Sequence, residues 1–291
     1  MVVASVIGTG RMGAWFASFL KKNGYEVNVY DRDERAAKSL SRKEKLRFVG
    51  DLNRAAREAQ LIIFATPTRI TKRLLEQIQV KSNASIVEIS SVKTPIKSTI
   101  VKLQKKGIPI LSIHPMFGPG AKTIAGRVVL TSVIPTNNRV VKQFLSLLER
   151  NGAKLIQCSL KDHDKLASII LALPHFINIV FVNSLRALSV NPDRMRTLAG
   201  TTFKLQLLVA EAIYQEGTEN EVSILVDNAH SLSTLKKLAQ ETASLLDAIE
   251  NRKTRKLVRT LANGNKFISK DRGFSTSYSR FNEAVEVSSR H

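Results

Sequence analysis

Short apolar segments alternate with amphipathic segments along the first half of the chain, and this alternation ends near residue 159. Several of the apolar segments have hydrophobic side chains at nearly every position, which is typical of parallel strands covered by helices on both faces. The predicted strands are residues 2–7, 25–30, 61–65, 86–89, 108–113 and 154–158. The pattern therefore predicts an α/β domain over residues 1–159 and an all-helical domain over residues 160–291.

Helical periodicity alone remains in the second half of the chain. From residue 162 to residue 188 almost every side of the predicted helix is apolar, so we expect it to be buried in a domain core or in a homodimer interface. Further helices are predicted over residues 203–216, 219–228 and 231–250. Residues 252–291 are strongly basic and end in a serine-rich stretch, whose last part we expect to be flexible.

The first predicted strand runs directly into a glycine-rich turn and a helix. Residues 8–13 (GTGRMG) follow the GxGxxG spacing of Rossmann-type dinucleotide-binding domains. Gly8 permits the tight turn, Gly10 lets the backbone approach a pyrophosphate, and Gly13 lets the helix pack closely against the strand. The residues predicted to hold the pyrophosphate at the helix N-terminus are Gly8, Gly10, Arg11, Met12 and Gly13.

An acidic side chain follows the second predicted strand. Asp31 lies 18 residues after Gly13, where a carboxylate accepts hydrogen bonds from the adenosine ribose hydroxyls and repels a 2′-phosphate. This position favours NAD as the cofactor. Arg32 and Arg35 keep NADP open, because a guanidinium can bind that phosphate or stack on adenine.

Three further predicted strands end in polar or proline-containing segments. These are Ala65-Thr66-Pro67, Ser90-Ser91-Val92-Lys93 and His114-Pro115-Met116-Phe117-Gly118-Pro119. Ligands of open α/β sheets bind outside the carboxyl ends of the strands. We therefore expect the glycine turn, Asp31, Ala65-Thr66-Pro67, Ser91 and His114 to converge on one crevice, with the first three binding the cofactor.

Charge and cysteine content narrow the class of protein only slightly. The chain has 45 Lys and Arg against 24 Asp and Glu, a net charge of +21, which favours polyanions or acidic substrates as partners. The basic residues are spread along the chain without a patch interleaved with aromatic side chains, so nucleic acid is not the expected partner. Cys158 is the only cysteine, which excludes an internal disulfide and a cysteine-rich metal site.

The sequence gives no indication of a membrane segment or a metal site. No apolar run is expected to reach membrane-spanning length, and the first strand leads into a glycine turn instead of a signal-peptide cleavage site. None of the residues around the predicted crevice has metal-ligand spacing. We therefore expect a cytoplasmic protein with no membrane contact and no metal.

Four motifs together resemble the prephenate dehydrogenase family over residues 2 to about 250. They are the glycine turn, Ser90-Ser91-Val92-Lys93, His114-Pro115-Met116-Phe117-Gly118-Pro119, and Asp162-His163-Asp164-Lys165-Leu166-Ala167 leading to Leu173-Pro174-His175. The HPMFGP element is specific, whereas the glycine turn occurs in many families. Residues 200–205 are similar to the archaeal members of the family.

The resemblance implies roles for individual residues. His114 would be the catalytic base, Ser91 would hold substrate and that histidine, and His175 would line the site from the helical domain. Gly118 of the HPMFGP element is assigned to substrate binding with Ser91 and His175. His163 and His230 are interpreted as cap or loop residues.

One departure from the family pattern concerns a substrate carboxylate. Many members carry an arginine for it in the helical domain, and the matching position here is Leu208. Lys204 is the candidate replacement. An equal alternative is that Lys204 is a solvated helix residue with no role in binding. Three arginines are weaker candidates: Arg186, Arg194 and Arg196.

The resemblance implies NAD-dependent oxidative decarboxylation of prephenate to 4-hydroxyphenylpyruvate, in tyrosine biosynthesis, by a homodimer. A neutral imidazole at His114 suits the proton step, since an unperturbed histidine has a pKa of about 6.5. One alternative is a dehydrogenase of arogenate or of another hydroxy acid. Another is a non-catalytic NAD-binding regulator or polyanion-binding protein, which the net charge and the missing arginine favour.

Overall fold

The computed structural model of the chain describes residues 2–81, 84–135 and 137–288. The chain divides into two compact units. The first contains the residues up to Ala167 together with Val222–Ala229, and the second contains Ser168–Glu221 together with the residues from His230 onward.

An eight-stranded sheet with helices forms the first unit. Its strands are β1 (Val3–Ile7), β2 (Glu26–Tyr30), β3 (Arg47–Phe48), β4 (Leu61–Phe64), β5 (Ser85–Glu88), β6 (Ile110–Pro115), β7 (Val128–Val133) and β8 (Lys154–Gln157). Its helices are α1 (Arg11–Lys22), α2 (Glu34–Glu44), α3 (Leu52–Glu58), α4 (Thr68–Gln77), α5 (Lys97–Lys105), α6 (Arg139–Arg150) and α7 (Leu160–Ala167).

The strand order is β3-β2-β1-β4-β5-β6-β7-β8, and β1 to β6 run parallel. Successive side chains of a strand point to opposite faces of the sheet, so one strand supplies two cores. On β4, Ile63 packs with Phe16 of α1 on one face, and Ile62 packs with Ile100 of α5 on the other. The predicted α/β class with a Rossmann-type domain is confirmed.

Two strands were absent from the sequence prediction. The first, β3, has only two residues. The second, β7, pairs antiparallel with β6 and parallel with β8. The predicted strand at residues 154–158 is therefore an edge strand beyond β7.

The second unit is helical, as predicted. Its helices are α8 (Leu173–Ala187), α9 (Pro192–Leu198), α10 (Thr201–Glu216), α11 (Thr218–Val222), α12 (Ser231–Glu250), α13 (Thr254–Ile268) and α14 (Ser277–Ser288). Among the described residues there are two π-helical turns, at Ser168–Ala172 and Ser223–Asp227. The former belongs to the second unit, whereas the latter belongs to the first.

The basic C-terminal segment, whose last part is expected to be flexible, contains helices α13 and α14 among its described residues. Helix α13 packs against α12, and α14 packs against α10, so tertiary contacts stabilise helices that the basic and serine-rich composition did not indicate. Residues 289–291, which the prediction also included, lie outside the described residues.

The first unit extends beyond the predicted boundary at residue 159 because polar contacts hold two later segments to it. The Asp164 carboxylate of α7 accepts hydrogen bonds from the backbone N–H groups of Lys93 and Thr94, at 2.8 and 2.6 Å. In the segment Val222–Ala229, the Asp227 carboxylate accepts from the guanidinium of Arg69 on α4. These contacts explain why residues 160–167 and 222–229 belong with the sheet.

The helical stretch Leu160–Ala187 corrects the expectation about membrane-length segments. Its 28 residues include an 18-residue window of mean hydropathy 1.9, which is long and apolar enough to cross a membrane by length and composition alone. Core and interface helices of soluble proteins meet the same criterion. Only 28% of that window is buried within the chain, so most of its surface lacks cover from the chain itself.

Candidate active site

The segments that follow five neighbouring strands meet at one edge of the sheet. In the order β2, β1, β4, β5 and β6, these strands are parallel neighbours. They lead respectively to Asp31, the glycine turn, Ala65-Thr66-Pro67, Ser91 and the HPMFGP segment, which begins within β6. The carboxyl ends of parallel strands are where ligands of such sheets bind.

Each of the three glycines in the turn is explained by a different physical reason. Gly8 adopts a φ of +98°, and a Cβ there would lie 2.7 Å from the Ala65 carbonyl oxygen. A Cβ on Gly13 would lie 1.9 Å from the Gly8 carbonyl oxygen. Gly10 is different, because a Cβ there would meet no atom of the chain within 4 Å. Gly8 and Gly13 are thus required by the fold, while the space in front of Gly10 is open to a ligand.

The N-terminus of α1 is suited to an anion. Gly10 is its N-cap, no side chain caps the helix by a hydrogen bond, and its first turn contains no acidic residue. The backbone N–H groups of such a turn and the helix dipole together favour a phosphate. The residues of the turn therefore fit the pyrophosphate of a dinucleotide.

Asp31 is bonded to the glycine turn as well as being available to a ribose. Its Oδ2 accepts hydrogen bonds from the Thr9 backbone N–H at 2.6 Å and from the Thr9 hydroxyl at 3.0 Å. Its Oδ1 accepts from the backbone N–H of Asp33 at 3.0 Å. Each carboxylate oxygen has two acceptor sites, so Oδ1 retains capacity for a ligand hydroxyl. Arg32 and Arg35 are exposed.

The segment after β4 is held by threonine side chains. The Thr71 hydroxyl donates to the Thr66 carbonyl oxygen at 2.9 Å, and the two threonine hydroxyls lie 2.8 Å apart. The Ala65 backbone N–H donates to Ile7 of β1, which places Ala65 beside the start of the glycine turn. Ala65 and Thr66 are half-buried, and Pro67 is exposed.

A buried ion pair supports the segment after β5. Lys93 and Glu88 are both fully buried, with Lys93 Nζ 2.7 Å from Glu88 Oε1 and 2.7 Å from the Ile113 carbonyl oxygen. The Ser112 hydroxyl also donates to Glu88 Oε1. Removing one partner of such a pair typically costs about 3–5 kcal/mol, because the other charge is left buried. Ser91 is half-buried in the segment that this pair supports.

His114 is buried near the end of β6, with 4% of its surface exposed. The following loop is fastened to α1, since the Trp15 indole N–H donates to the Ala121 carbonyl oxygen at 2.8 Å and the Trp15 ring contacts Phe117 edge-on. Gly118 lies within this loop and is half-buried. The loop therefore has a defined path from His114 back to the dinucleotide-binding helix.

His163 is a candidate site residue that the sequence interpretation missed. Instead of being a cap or loop residue, it is fully buried in α7, with its Nε2 3.1 Å from His114 Nδ1. Its Nδ1 lies 2.8 Å from Asp164 Oδ1. His163 belongs to a motif that carries the family resemblance. Its contact with His114 spans 49 residues, however, and leaves no local signal in the sequence. His230, in contrast, is the N-cap of α12.

The environment of this cluster favours neutral histidines beside an ionised aspartate. Burial lowers the pKa of His114 well below its ordinary value of 6.5, and positive charge on His163 or Lys93 lowers it further. Burial also lowers the pKa of His163. Burial would raise the pKa of Asp164, but hydrogen bonds from His163, Thr94 and the Lys93 backbone outweigh it and lower the pKa to about 2. The expectation of an unperturbed imidazole at His114 is therefore corrected downward.

In the second unit, His175 forms a pair with a carboxylate. Its Nδ1 lies 2.6 Å from Glu221 Oε2, and both side chains are mostly buried. The other oxygen, Glu221 Oε1, is buried without a hydrogen-bond partner among the described residues. Glu221 thus fixes the orientation of the His175 ring and leaves Nε2 as its second polar atom.

Lys204 and Leu208 both lie on α10, Lys204 half-buried and Leu208 exposed. On the same helix, the Gln206 amide donates to Asn178 Oδ1 at 2.6 Å, and the Asn178 amide donates to the Pro174 carbonyl oxygen. Arg196 is paired with Glu211, and the exposed Arg186 donates to Asn183, whereas Arg194 is exposed. Lys204 therefore remains the candidate cation of this helix.

Two family models match most of the chain. The model of the prephenate dehydrogenase nucleotide-binding domain matches residues 16–157, and that of the prephenate dehydrogenase dimerization domain matches residues 159–263. The chain belongs to the prephenate dehydrogenase family.

The curated relatives that the chain matches are longer than this chain. A protein of Methanocaldococcus jannaschii named "Probable arogenate/prephenate dehydrogenase" is 26% identical over 213 residues, which are 72% of this chain and 48% of that protein. The "T-protein" of Enterobacter agglomerans is 25% identical over 252 residues, 85% of this chain and 62% of that protein. The chain thus spans about half to three fifths of the length of these relatives.

Solved structures show the same fold. The structure of prephenate dehydrogenase from A. aeolicus in complex with hydroxyphenyl propionate and NAD+ matches with a TM-score of 0.73 at 17% identity. The match covers 93% of this chain and 99% of that one. At this identity the likeness supports the two-part architecture alone.

Proposed function

We propose that the protein is a prephenate dehydrogenase, which oxidatively decarboxylates prephenate to 4-hydroxyphenylpyruvate with NAD as cofactor. The observation that carries this proposal is His114, a buried imidazole near the end of β6 whose Nδ1 is bonded to a second histidine. It stands at the same sheet edge as the glycine turn. Membership of the family and the HPMFGP segment support the same assignment.

The reaction asks little of the protein beyond orientation and one proton transfer. Prephenate has a hydroxyl and a hydrogen on C4 of a cyclohexadiene ring, with a carboxylate and a pyruvyl group on the opposite carbon. Loss of the C4 hydrogen as hydride gives a dienone, which loses carbon dioxide and becomes aromatic. Since aromatisation drives the reaction, the protein has to orient C4, accept the hydroxyl proton and bind two carboxylates.

In this proposal His114 accepts the C4 hydroxyl proton. A neutral imidazole is required, and burial of His114 favours that form down to well below its ordinary pKa of 6.5. Ser91, in the segment after β5, donates a hydrogen bond to the same hydroxyl or orients the ring of His114. Gly118 of the following loop contributes to the substrate site through its backbone.

The substrate carboxylates require cationic or N–H donors, and His175 and Lys204 are the residues proposed for this role from the family resemblance. His175 is held through Nδ1 by Glu221, so its Nε2 is the atom that can donate to a carboxylate when the ring is protonated. Lys204 on α10 supplies an ammonium where many family members have an arginine four positions later. Lys204→Met should raise KM for the substrate with little change in kcat, because it removes a binding contact.

NAD is the proposed cofactor, bound across the glycine turn and Asp31. When bound, NAD supplies the hydride acceptor. The residues proposed to hold it are Gly8, Gly10, Arg11, Met12, Gly13, Asp31, Arg32, Ala65, Thr66 and Pro67. The open space at Gly10 and the uncapped N-terminus of α1 support this placement.

Arogenate is the second candidate substrate, because the M. jannaschii relative is named for both compounds. It carries an amino group where prephenate has a keto group, and its ring is the same. The chemistry assigned to His114 is therefore unchanged, and only the contacts to the side chain differ.

The proposal is tested by following NADH or NADPH absorbance with prephenate and with arogenate, each under NAD and NADP. We expect turnover with prephenate and NAD to have the highest kcat/KM of the four combinations. A higher kcat/KM with arogenate would transfer the function to that substrate. Binding of NAD without turnover of either compound would favour the non-catalytic NAD-binding alternative.

We further propose that the protein is a homodimer, assembled through its helical unit. The match to a dimerization domain supports this, as do exposed apolar side chains along the π-helical turn and α8. These are Ile169, Ile170, Ile177 and Val180, each between 41% and 50% exposed. Several large apolar side chains exposed along one helical segment are typical of an interface.

A further inference from the structure

His114, His163 and Asp164 form a chain of hydrogen bonds whose direction is set at the aspartate. The Asp164 carboxylate is 4% exposed and lies opposite four donors. Its Oδ1 accepts from the Lys93 backbone N–H and lies 2.8 Å from His163 Nδ1. Its Oδ2 accepts from the Thr94 backbone N–H and hydroxyl. An ionised carboxylate can only accept, and backbone N–H groups can only donate, so His163 Nδ1 must carry a proton.

The protonation of the two rings then follows by elimination. A neutral imidazole has one N–H, so His163 with a proton on Nδ1 has a lone pair on Nε2. That lone pair lies 3.1 Å from His114 Nδ1, which must therefore donate. Neutral His114 then has its own lone pair on Nε2. The chain of bonds selects one tautomer of His114 out of two.

We infer that His163 and Asp164 are positioning residues, which hold His114 in the tautomer whose Nε2 can act as a base. This inference rests on the proposed function for the identity of the proton donor. In the proposed reaction the substrate hydroxyl would give its proton to His114 Nε2, and NAD, when bound, would supply the hydride acceptor for the C4 hydrogen. Neither Asp164 nor His163 changes its proton count in that step.

The same chain of bonds also stabilises the product of the proton transfer. Once Nε2 is protonated, His114 is an imidazolium that still donates through Nδ1 to His163. His163 in turn donates to Asp164. The Asp164 carboxylate therefore stabilises the His114 imidazolium through the oriented His163 ring, without contacting His114 directly. Lys93 opposes the positive charge on His114, and Glu88, paired with Lys93, reduces that opposition.

A metal-binding role for this cluster is not supported. Among the described residues there is no group of three or more His, Cys, Asp or Glu side chains placed to hold a metal ion. The facing nitrogens of His114 and His163 are at hydrogen-bond distance from one another, and both Asp164 oxygens already accept from backbone N–H groups.

Two substitutions of His163 separate positioning from simple packing. His163→Phe keeps a buried ring but leaves His114 Nδ1 without an acceptor. His163→Gln can donate to Asp164 through its amide N–H and accept from His114 through its carbonyl oxygen. We expect His163→Phe to lower kcat about ten- to a hundred-fold, which is at or below the lower end of the roughly hundred- to ten-thousand-fold general-base contribution, because His114 itself is retained. His163→Gln should retain kcat to within about threefold, and KM should change little in either.

Asp164→Asn provides a reversal of the bond direction. With its NH2 toward His163 and its carbonyl oxygen toward Thr94, the amide would move the proton of His163 to Nε2 and so force the wrong tautomer on His114. The same NH2 would also face the Lys93 backbone N–H, so thermal unfolding is measured beside kcat. A comparable change in a serine protease triad costs about ten-thousand-fold in kcat. Asp162→Asn, two residues earlier on the same helix at an exposed carboxylate bonded to Ser159, is the matched control and should leave kcat unchanged.

The decisive experiment observes the His114 tautomer directly, by ¹⁵N NMR of the imidazole nitrogens. The chain has only five histidines, and the His114 signals are assigned by their loss in His114→Asn. We expect Nδ1 of His114 to be protonated and Nε2 unprotonated in the wild type and in His163→Gln. In folded His163→Phe the two nitrogens should show a mixture of tautomers.

The outcomes distinguish this inference from the proposed function. A wild-type tautomer in folded His163→Phe, or low kcat in His163→Gln with that tautomer intact, contradicts the positioning role. If neither prephenate nor arogenate is oxidised but the tautomer still depends on His163, the proposed substrate is wrong and the positioning of His114 stands. Thermal unfolding of each variant shows that the folded protein is being compared.

Discussion

At the scale of single residues, the buried histidines make the stability of the protein sensitive to acid. The pKa values of His114 and His163 are lowered on folding, chiefly by burial, so below pH 6.5 the unfolded chain binds protons that the folded chain does not. Stability from these residues is present above pH 6.5 and is lost as the pH falls below it. Asp164, with its pKa lowered from 3.8 to about 2, contributes about 2 kcal/mol above pH 3.8, which is lost below that pH.

This loss of stability at acid pH can be measured by urea unfolding. The urea concentration at which half of the wild type is unfolded should decrease as the pH is lowered from 7.5 to 5, a range in which Asp164 stays ionised. The double variant His114→Asn with His163→Gln should show a smaller fall over the same interval, since both titrating rings are gone. Equal slopes for the two proteins would mean that other groups determine the acid sensitivity.

Asp31 should govern the choice between NAD and NADP. Asp31→Ser removes the carboxylate that accepts ribose hydroxyls and repels a 2′-phosphate, and it leaves the exposed Arg32 and Arg35 beside that position. We expect kcat/KM for NAD to fall by tenfold or more, on the order of one or two charged hydrogen bonds. The ratio of kcat/KM for NADP to that for NAD should rise.

The bonds from Thr9 to Asp31 complicate this variant, because their loss loosens the glycine turn for both cofactors. The ratio between the cofactors is therefore the diagnostic quantity. Asp33→Asn, which preserves an N-cap for α2, is the control and should leave the ratio unchanged. A wild type that already prefers NADP would show that Arg32 or Arg35 dominates.

Residue identities at the strand ends could be predicted because each follows an apolar run that is visible in the sequence. Asp31, Thr66, Ser91 and His114 belong to this group. His163 could not be found in the same way, since its partner His114 lies 49 residues away and the local sequence indicated a cap or loop residue. The lowered pKa of His114 was missed for the same reason, because burial is set by the whole fold.

At the scale of elements, two glycines of the turn should respond differently to the same substitution. Gly13→Ala places a methyl group 1.9 Å from the Gly8 carbonyl oxygen, so α1 has to move away from β1. We expect a loss of about 1–3 kcal/mol in the free energy of unfolding. Gly10→Ala meets no atom of the chain and should leave thermal stability unchanged.

Cofactor binding, in contrast to stability, should be sensitive to Gly10→Ala. Gly10→Ala introduces its methyl group where a pyrophosphate would approach, so NAD affinity should fall although the fold is intact. Calorimetric titration with NAD checks this. Unchanged affinity in Gly10→Ala would move the pyrophosphate away from the turn.

Elements with a strong hydrophobic periodicity were predicted well. Elements that depend on pairing or packing with other elements were not. Helix α12 has the bounds expected from its apolar spacing, Ser231–Glu250. Strand β7 pairs antiparallel with β6 in an otherwise parallel region, a choice that no single segment encodes. Helices α13 and α14 acquire stability from α12 and α10, whereas their basic and serine-rich composition alone suggested flexibility.

At the scale of the whole molecule, the exposed apolar row on α8 predicts association. Light scattering at micromolar concentration should give the mass of a dimer, twice 32.3 kDa. Ile177→Glu, at an exposed position of the row, should shift the protein toward the monomer because it places a charge in an apolar interface. A Lys142→Glu variant on α6, in the other unit, is the control for added negative charge.

The same measurement separates an interface from a membrane span. An interface helix leaves the protein dispersed without detergent as a dimer, whereas a spanning helix in Leu160–Ala187 would require detergent or lipid. We expect the dimer without detergent. A protein recovered only with detergent would contradict the proposed dimer interface.

The pH dependence of kcat/KM with prephenate and NAD, compared between the wild type and His114→Asn, tests the central claim most directly. Neutral His114 is the active form and its pKa is well below 6.5, so wild-type kcat/KM should stay level through pH 6.5 and fall only at lower pH. His114→Asn should bind NAD normally, lose about a hundred- to ten-thousand-fold in kcat and lack that acid limb. Near-normal turnover in His114→Asn, with the wild-type pH profile retained, would remove His114 from the mechanism and contradict the account.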